Sequence, residues 1–148
     1  MDAPPSTDDL SINGEDLVFR RIAHADSVDM ITVDQVDGSR RPSSGVFKAN
    51  EDGLSVYLST VLADFALGPE ALLRAPNNAV LSLAVGVLRS HGLGVVPDAW
   101  PSDTDDPQHL RNAAHALVTG IDRFGSSAER RMRQALARSA TIVIDPGA

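Results

Sequence analysis

The apolar residues of this chain keep one period up to Leu58 and another after it. Leu54, Val56 and Leu58 alternate with Ser55 and Tyr57, the two-residue repeat of a half-buried strand. Leu58, Val61, Leu62 and Phe65 then fall at i, i+3, i+4 and i+7, the stripe of an amphipathic helix. Strands first, with helices interleaved afterwards, point to an α+β domain on a mostly antiparallel or mixed sheet. The expected content is about five to seven strands and three or four helices.

Ahead of the switch, Leu17–Ala23 leans to β structure, and Met30–Val36 reads as a second strand ending at the hairpin dipeptide Asp37-Gly38. Pro42 fixes its own φ and holds Arg41 extended, so Arg40 and Arg41 stand on a stiff basic turn. Gly45–Ala49 and Leu54–Leu58 both alternate around Asn50-Glu51-Asp52-Gly53, which predicts a β-hairpin. Beyond Leu58, Ser59 or Thr60 is positioned to cap the helix and Gly68-Pro69 to stop it, with Pro69 opening a short helix over Glu70–Arg74. Val80–Leu88 is strand or helix, the strand being favoured by its valines and by the glycines before Val95-Val96. Leu110–Ile121 is a helix, or a short helix running into a strand. Ser127–Ala140 is the clearest helix, with Ala128, Met132, Ala135 and Leu136 on one side, and Thr141–Ile144 a closing strand.

A chain of 148 residues, 43% of them hydrophobic, suits one domain with a real core. The expected division is a mobile acidic arm over 1–16 and a single domain over 17–148. That arm carries five acids and no base, which leaves only −2 of the net charge of −7 for the rest. A nearly neutral body behind an acidic arm argues against nucleic acid as a partner. The absence of cysteine excludes disulfides, thiol catalysis and iron–sulfur clusters. The start Met-Asp-Ala-Pro-Pro has neither the basic residues nor the apolar core of a leader, and Ala79–Leu88 is about half the length of a membrane span. A cytoplasmic protein with no membrane association is therefore expected, and its arginine-rich, alanine-rich and aspartate-rich composition is that of a GC-rich bacterial genome.

Chemistry is sparsely signalled. His24, His91, His109 and His115 lack metal-ligand spacing, so no metal is expected. Gly92-Leu93-Gly94 lacks the rest of a dinucleotide fingerprint, no phosphate-binding loop occurs, and neither Ser43 nor Ser44 sits in a nucleophile elbow. No cofactor is implied. The Arg40–Lys48 turn is the candidate recognition surface, with Arg40, Arg41 and Lys48 supplying charge and Ser43 and Ser44 hydrogen bonds. Its plainer reading is a solvated loop with turn-capping serines. Trp100 is a partner anchor or, as favoured here, a pin holding its loop to the body. Arg130, Arg131, Arg133 and Arg138 complement a helix C-terminus or meet an acidic surface such as the arm.

Two resemblances add to this. Arg41-Pro-Ser-Ser-Gly-Val-Phe, then Leu-Ser-Val-Tyr-Leu, His115-Ala-Leu-Val and the closing Ala-Arg-Ser-Ala-Thr-Ile-Val-Ile-Asp-Pro look like a group of small bacterial hypothetical proteins with an Arg-Pro-Ser-Ser-x-x-Phe motif and a downstream His-Ala pair. The resemblance spans about residues 17–146 and implies an α+β domain. A looser likeness is to the ADP-ribosyltransferase-like fold, on Phe19-Arg20-Arg21-Ile22 and Val56-Tyr57-Leu58-Ser59. None of Glu15, Glu51, Glu70 and Glu129 stands on a late strand where that fold's glutamate would, so only branches relying on Arg and His fit.

The leading expectation is a non-enzymatic binding or accessory protein, taking a protein partner or a small anionic ligand at the Arg40–Lys48 turn. The rival is a nucleotide-handling enzyme with Arg20 or Arg21 on phosphate, His24 nearby and Tyr57 stacking a ring. A pocket joining Arg21, Ser44 and Tyr57 would favour that rival. The third reading is a homo-oligomer paired through apolar edge strands.

Overall fold

The structure, a computed structural model, describes residues 7–25, 29–49, 53–100, 109–121 and 125–146. Among them are eight strands and four α-helices, an α+β arrangement as the change of apolar period implies. The strands are β1 (Leu17–Ile22), β2 (Ile31–Val33), β3 (Arg40–Pro42), β4 (Leu54–Leu58), β5 (Ala79–Ala84), β6 (Gly94–Pro97), β7 (His115–Thr119) and β8 (Thr141–Ile144). The helices are α1 (Ser59–Asp64), α2 (Val85–Ser90), α3 (His109–Ala114) and α4 (Ser126–Ser139). Six strands form one antiparallel sheet in the order β6-β7-β4-β1-β5-β8, and β2 and β3 pair by themselves.

Both faces of the sheet are covered, because alternate residues of its central strands are apolar in both directions. Val18, Ile22, Leu54, Val56, Leu58, Leu81, Ala116 and Val118 pack on one face with Met132, Leu136 and Ala137 of α4 and Val85 and Leu88 of α2. Phe19, Tyr57 and Val80 point to the other, where Leu62 of α1, Leu72 and Ala114 of α3 cover them. On α4 the buried residues are Met132, Leu136 and Ala137, so the apolar stripe is rotated slightly from the expected one through Ala128 and Ala135.

The small hairpin turns where Asp37-Gly38 predicts it. The Asp34 carboxylate accepts from the amides of Val36 (2.7 Å) and Asp37 (3.2 Å), and Gly38 takes φ 72°. The second expected hairpin does not form. Gly45–Ala49 is no strand: Ser44–Phe47 is a 3₁₀ turn, capped by the Ser43 hydroxyl accepting from Gly45 N at 3.2 Å while donating to Asp29 O. The turn buries the neighbours Val46 and Phe47 together, which an alternating strand would send to opposite faces. Asn50, Glu51 and Asp52 of its expected loop lie outside the described residues.

The first helix also departs from expectation at both ends. Its N-cap is Leu58, with no side-chain cap from Ser59 or Thr60. It stops before Gly68-Pro69, because Ala66 takes φ 60° and Leu67 N reaches back to Leu62 O at 2.9 Å; Phe65 is left on the surface. Pro69 does occupy the first position of a helical turn, but of a 3₁₀ turn ending at Leu72. The favoured reading of Val80–Leu88 as one strand is corrected: the strand ends at Ala84, and Val85 starts α2. Leu110–Ile121 is the short helix running into a strand, α3 and β7.

The acidic arm is tied to the domain from Thr7 onward. Asp8 pairs with Arg89 at 2.9 Å and accepts from Val95 N at 3.0 Å, Asp9 N donates to Val95 O at 3.0 Å, and Ile12 is buried. Residues 7–9 thereby cover part of the outer edge of β6. Among the described residues no helix is long and apolar enough to cross a membrane.

Candidate functional site

Strands β1 and β4 pair only at Val18–Leu58 and Phe19–Tyr57. Beyond Phe19 they part, and the gap is bridged by a side chain: Arg20 donates from Nε to Val46 O and from a terminal nitrogen to Ser55 O, both at 2.7 Å. The guanidinium thereby satisfies one carbonyl of β4 and one of the 3₁₀ turn. Burial, then the neighbouring Arg21, pushes Arg20 down to about 10, partly offset by Tyr57; it is still a cation at neutral pH.

A cleft of about 140 Å³ opens beside this bridge, lined by Arg20, Arg21, Ser55, Tyr57, Arg74 and Trp100. Among the described residues its walls carry three guanidiniums and no carboxylate. Arg21 is also held below the usual arginine range, first by burial and then by Arg74. Asn78, itself buried, organises this side: its Oδ1 accepts from Arg74 N (2.8 Å), Ala75 N (3.1 Å) and the Arg21 guanidinium (3.4 Å), and its Nδ2 donates to Ala23 O (3.0 Å). A second depression of about 260 Å³ shares Arg20 and Arg21 and reaches Met30, Gly45 and Val46.

Behind the cleft stands His115 at the start of β7, 1% exposed. Its Nε2 meets the Ser55 hydroxyl, and its Nδ1 lies 3.0 Å from Asp98 O and 3.2 Å from Asp98 Oδ2. Both Asp98 atoms accept, so Nδ1 carries the proton and Nε2 is the acceptor facing Ser55. Trp100 stacks on the imidazole with centroids 3.8 Å apart, and Tyr57 meets it edge-on at 5.6 Å. The ring stacked on His115 and the Trp100 amide, which donates to Asn112 O at 2.9 Å, together pin residues 98–100 to the body.

Two side chains of the Arg40–Lys48 turn, Arg40 and Ser43, are engaged within the fold. Arg40 pairs with Asp145 at 2.6 Å and reaches Ala25 O at 3.3 Å, Ser43 caps the 3₁₀ turn, and Ser44 is its half-buried first residue. Arg41 and Lys48 are exposed, as is His24, and none of the three lines either cleft. Arg21 and Tyr57 do meet in one cleft, but with Ser55 in place of Ser44.

Sequence reasoning missed Ser55, Arg74, Asn78, Asp98 and His115 as a group. The alternation of β4 put Ser55 on the Tyr57 face, and the His115-Ala pair was noted; nothing local joined them to Arg74 or Asp98. Among the described residues no cluster of three or more metal-ligating side chains occurs. No protein-family model, no curated protein and no solved structure matches the chain.

Proposed function

We propose that the domain binds a small phosphate-bearing ligand in the cleft between β1 and β4. The observation that carries this is the wall of Arg20, Arg21 and Arg74, with no carboxylate among the described lining residues. Three cations held together, two of them partly stripped of water, repel one another until an anion arrives. Guanidiniums offer paired donors to phosphate oxygens, which suits that anion better than a point charge would. The recognition surface thus moves from the Arg40–Lys48 turn, whose Arg40 and Ser43 are occupied, to β1 and to Arg74, just beyond the 3₁₀ turn Pro69–Leu72.

A nucleotide-handling enzyme is the second reading, favoured by Arg21 and Tyr57 sharing the cleft with Trp100. A flat ring beside three cations suits the base and phosphate of one molecule. Calorimetric titration of the protein with pyrophosphate and with a nucleoside diphosphate tests both. Pyrophosphate binding that weakens about tenfold or more in Arg74→Ala supports the cleft, since a charged hydrogen bond contributes about 1.5–3 kcal/mol. Clearly tighter binding of the nucleotide supports the second reading. Unchanged affinity in Arg74→Ala would remove the cleft from consideration, and a matching loss in Arg41→Ala would return recognition to the turn.

A further inference from the structure

We propose that Ser55 is a nucleophile, activated by His115 and Asp98, and that the ligand of the cleft is a phosphate ester it cleaves. The proposal rests on the phosphate-binding reading above and adds chemistry to it. Ser55 lines the cleft and its hydroxyl is hydrogen-bonded to His115 Nε2, so a hydroxyl beside the ligand has a base for its proton to go to. His115 is oriented from behind by the Asp98 carbonyl and carboxylate, which fix the tautomer with a bare Nε2. The order hydroxyl, imidazole, carboxylate is the arrangement by which serine is made nucleophilic on unrelated folds, recognised by geometry and not by position in the chain. Trp100 stacked on the ring and Tyr57 at its edge keep the imidazole from rotating away.

The guanidiniums decide between acyl and phosphoryl chemistry. Cationic side chains stabilise the spread negative charge of a transferring phosphoryl group, and Arg20, Arg21 and Arg74 line the same cleft as Ser55. Ser55 Oγ attacks phosphorus, its proton passes to His115 Nε2, and the bond from phosphorus to the ester oxygen breaks. The departing alkoxide takes that proton from Nε2 and leaves as an alcohol. Water then attacks the phosphoserine, gives a proton to Nε2, and Ser55 leaves and recovers it. The net change is ester plus water to alcohol plus phosphate. Asp98 acts through His115 and is a positioning residue.

A fluorophosphonate probe, followed by intact-mass and peptide mass spectrometry of the full chain, tests this. The expected result is one adduct, on Ser55, absent in Ser55→Ala and slowed by pyrophosphate. In His115→Gln the labelling rate falls about a hundredfold or more, the size of general-base assistance. In Asp98→Asn, whose side chain is 44% exposed, the fold is retained and the rate falls severalfold, the backbone carbonyl still holding the tautomer. If His115→Gln proves unfolded by circular dichroism, the Asp98→Asn rate decides. A Ser55 that stays unlabelled, or is labelled equally fast in the folded variants, overturns the nucleophile and leaves a histidine that merely satisfies its neighbours. The two readings fail separately: pyrophosphate binding without labelling sinks only the nucleophile, and labelling without pyrophosphate binding or protection sinks the phosphate ester.

Discussion

Arg20 does two tasks that a different side chain at that position could not combine. It fills the place where β1 and β4 part, and it lends charge to the cleft beside that gap. Burial, more than the neighbouring Arg21, lowers its pKa to about 10. Its stabilising part is geometric: two donors of one planar group meet Val46 O and Ser55 O on different segments, which a lysine ammonium on a flexible stem does not reproduce. Arg20→Lys is therefore expected to lower stability by about 1–3 kcal/mol in urea unfolding, the cost of leaving a buried acceptor short of its partner. Arg74, exposed on its loop, is the contrast: Arg74→Ala should leave stability within about 0.5 kcal/mol while weakening the anion site. If Arg20→Lys unfolds at the wild-type midpoint, the bridge contributes nothing and Arg20 belongs to the cleft alone.

Among the elements, the entry to β4 is the least forgiving point. Gly53 has φ 125°, and a Cβ there would stand 2.7 Å from Val118 O on the neighbouring strand. Gly53→Ala meets backbone strain and a backbone clash at once, so a loss of about 1–3 kcal/mol is expected in thermal or denaturant unfolding; an unchanged midpoint would mean the strand can shift. That glycine was legible as a turn former, and so were β4 and α4 from their periods and β1, β2 and β8 from their β-leaning residues. The elements that were not legible take their ends from afar. Val85 N and Gly86 N, which start α2, donate to Asp16 O and Gly14 O, about seventy residues earlier in the chain. No local cap marks that switch from strand to helix, and β5 before it is buried on both faces, so Val80–Leu88 shows no period at all. The site escaped for the same reason. Arg20, Ser55, Arg74, Asp98 and His115 come from five separate segments, and their meeting is a property of the strand order β7-β4-β1, which no spacing encodes.

At the scale of the whole molecule, the acidic arm covers part of one of the two edges of the sheet, that of β6. Strand β6 is an edge, and unpaired edge groups recruit further strands unless something covers them. Here Asp9 N takes Val95 O and the Asp8 carboxylate takes Val95 N, with Arg89 holding Asp8 in place. Glycine at position 94 makes room for this: a Cβ would fall 1.9 Å from Thr7 O and 2.9 Å from Asp8 Cβ. Gly94→Ala is thus expected to push residues 7–9 off while sparing the rest of the sheet, seen as faster amide exchange confined to the arm and the outer edge of β6. Acid should do the same reversibly. For Asp8, burial alone would raise the pKa, but the Val95 amide and Arg89 outweigh it and the net direction is down from 3.8. The tie is therefore complete above that value and is lost only as pH falls through the lower folded one. Sedimentation at rising concentration supplies the deciding measurement, with wild type expected to stay at the mass of one chain and Gly94→Ala to associate. Association of both to the same degree would place the contact elsewhere, at β8, whose Val143 is 42% exposed.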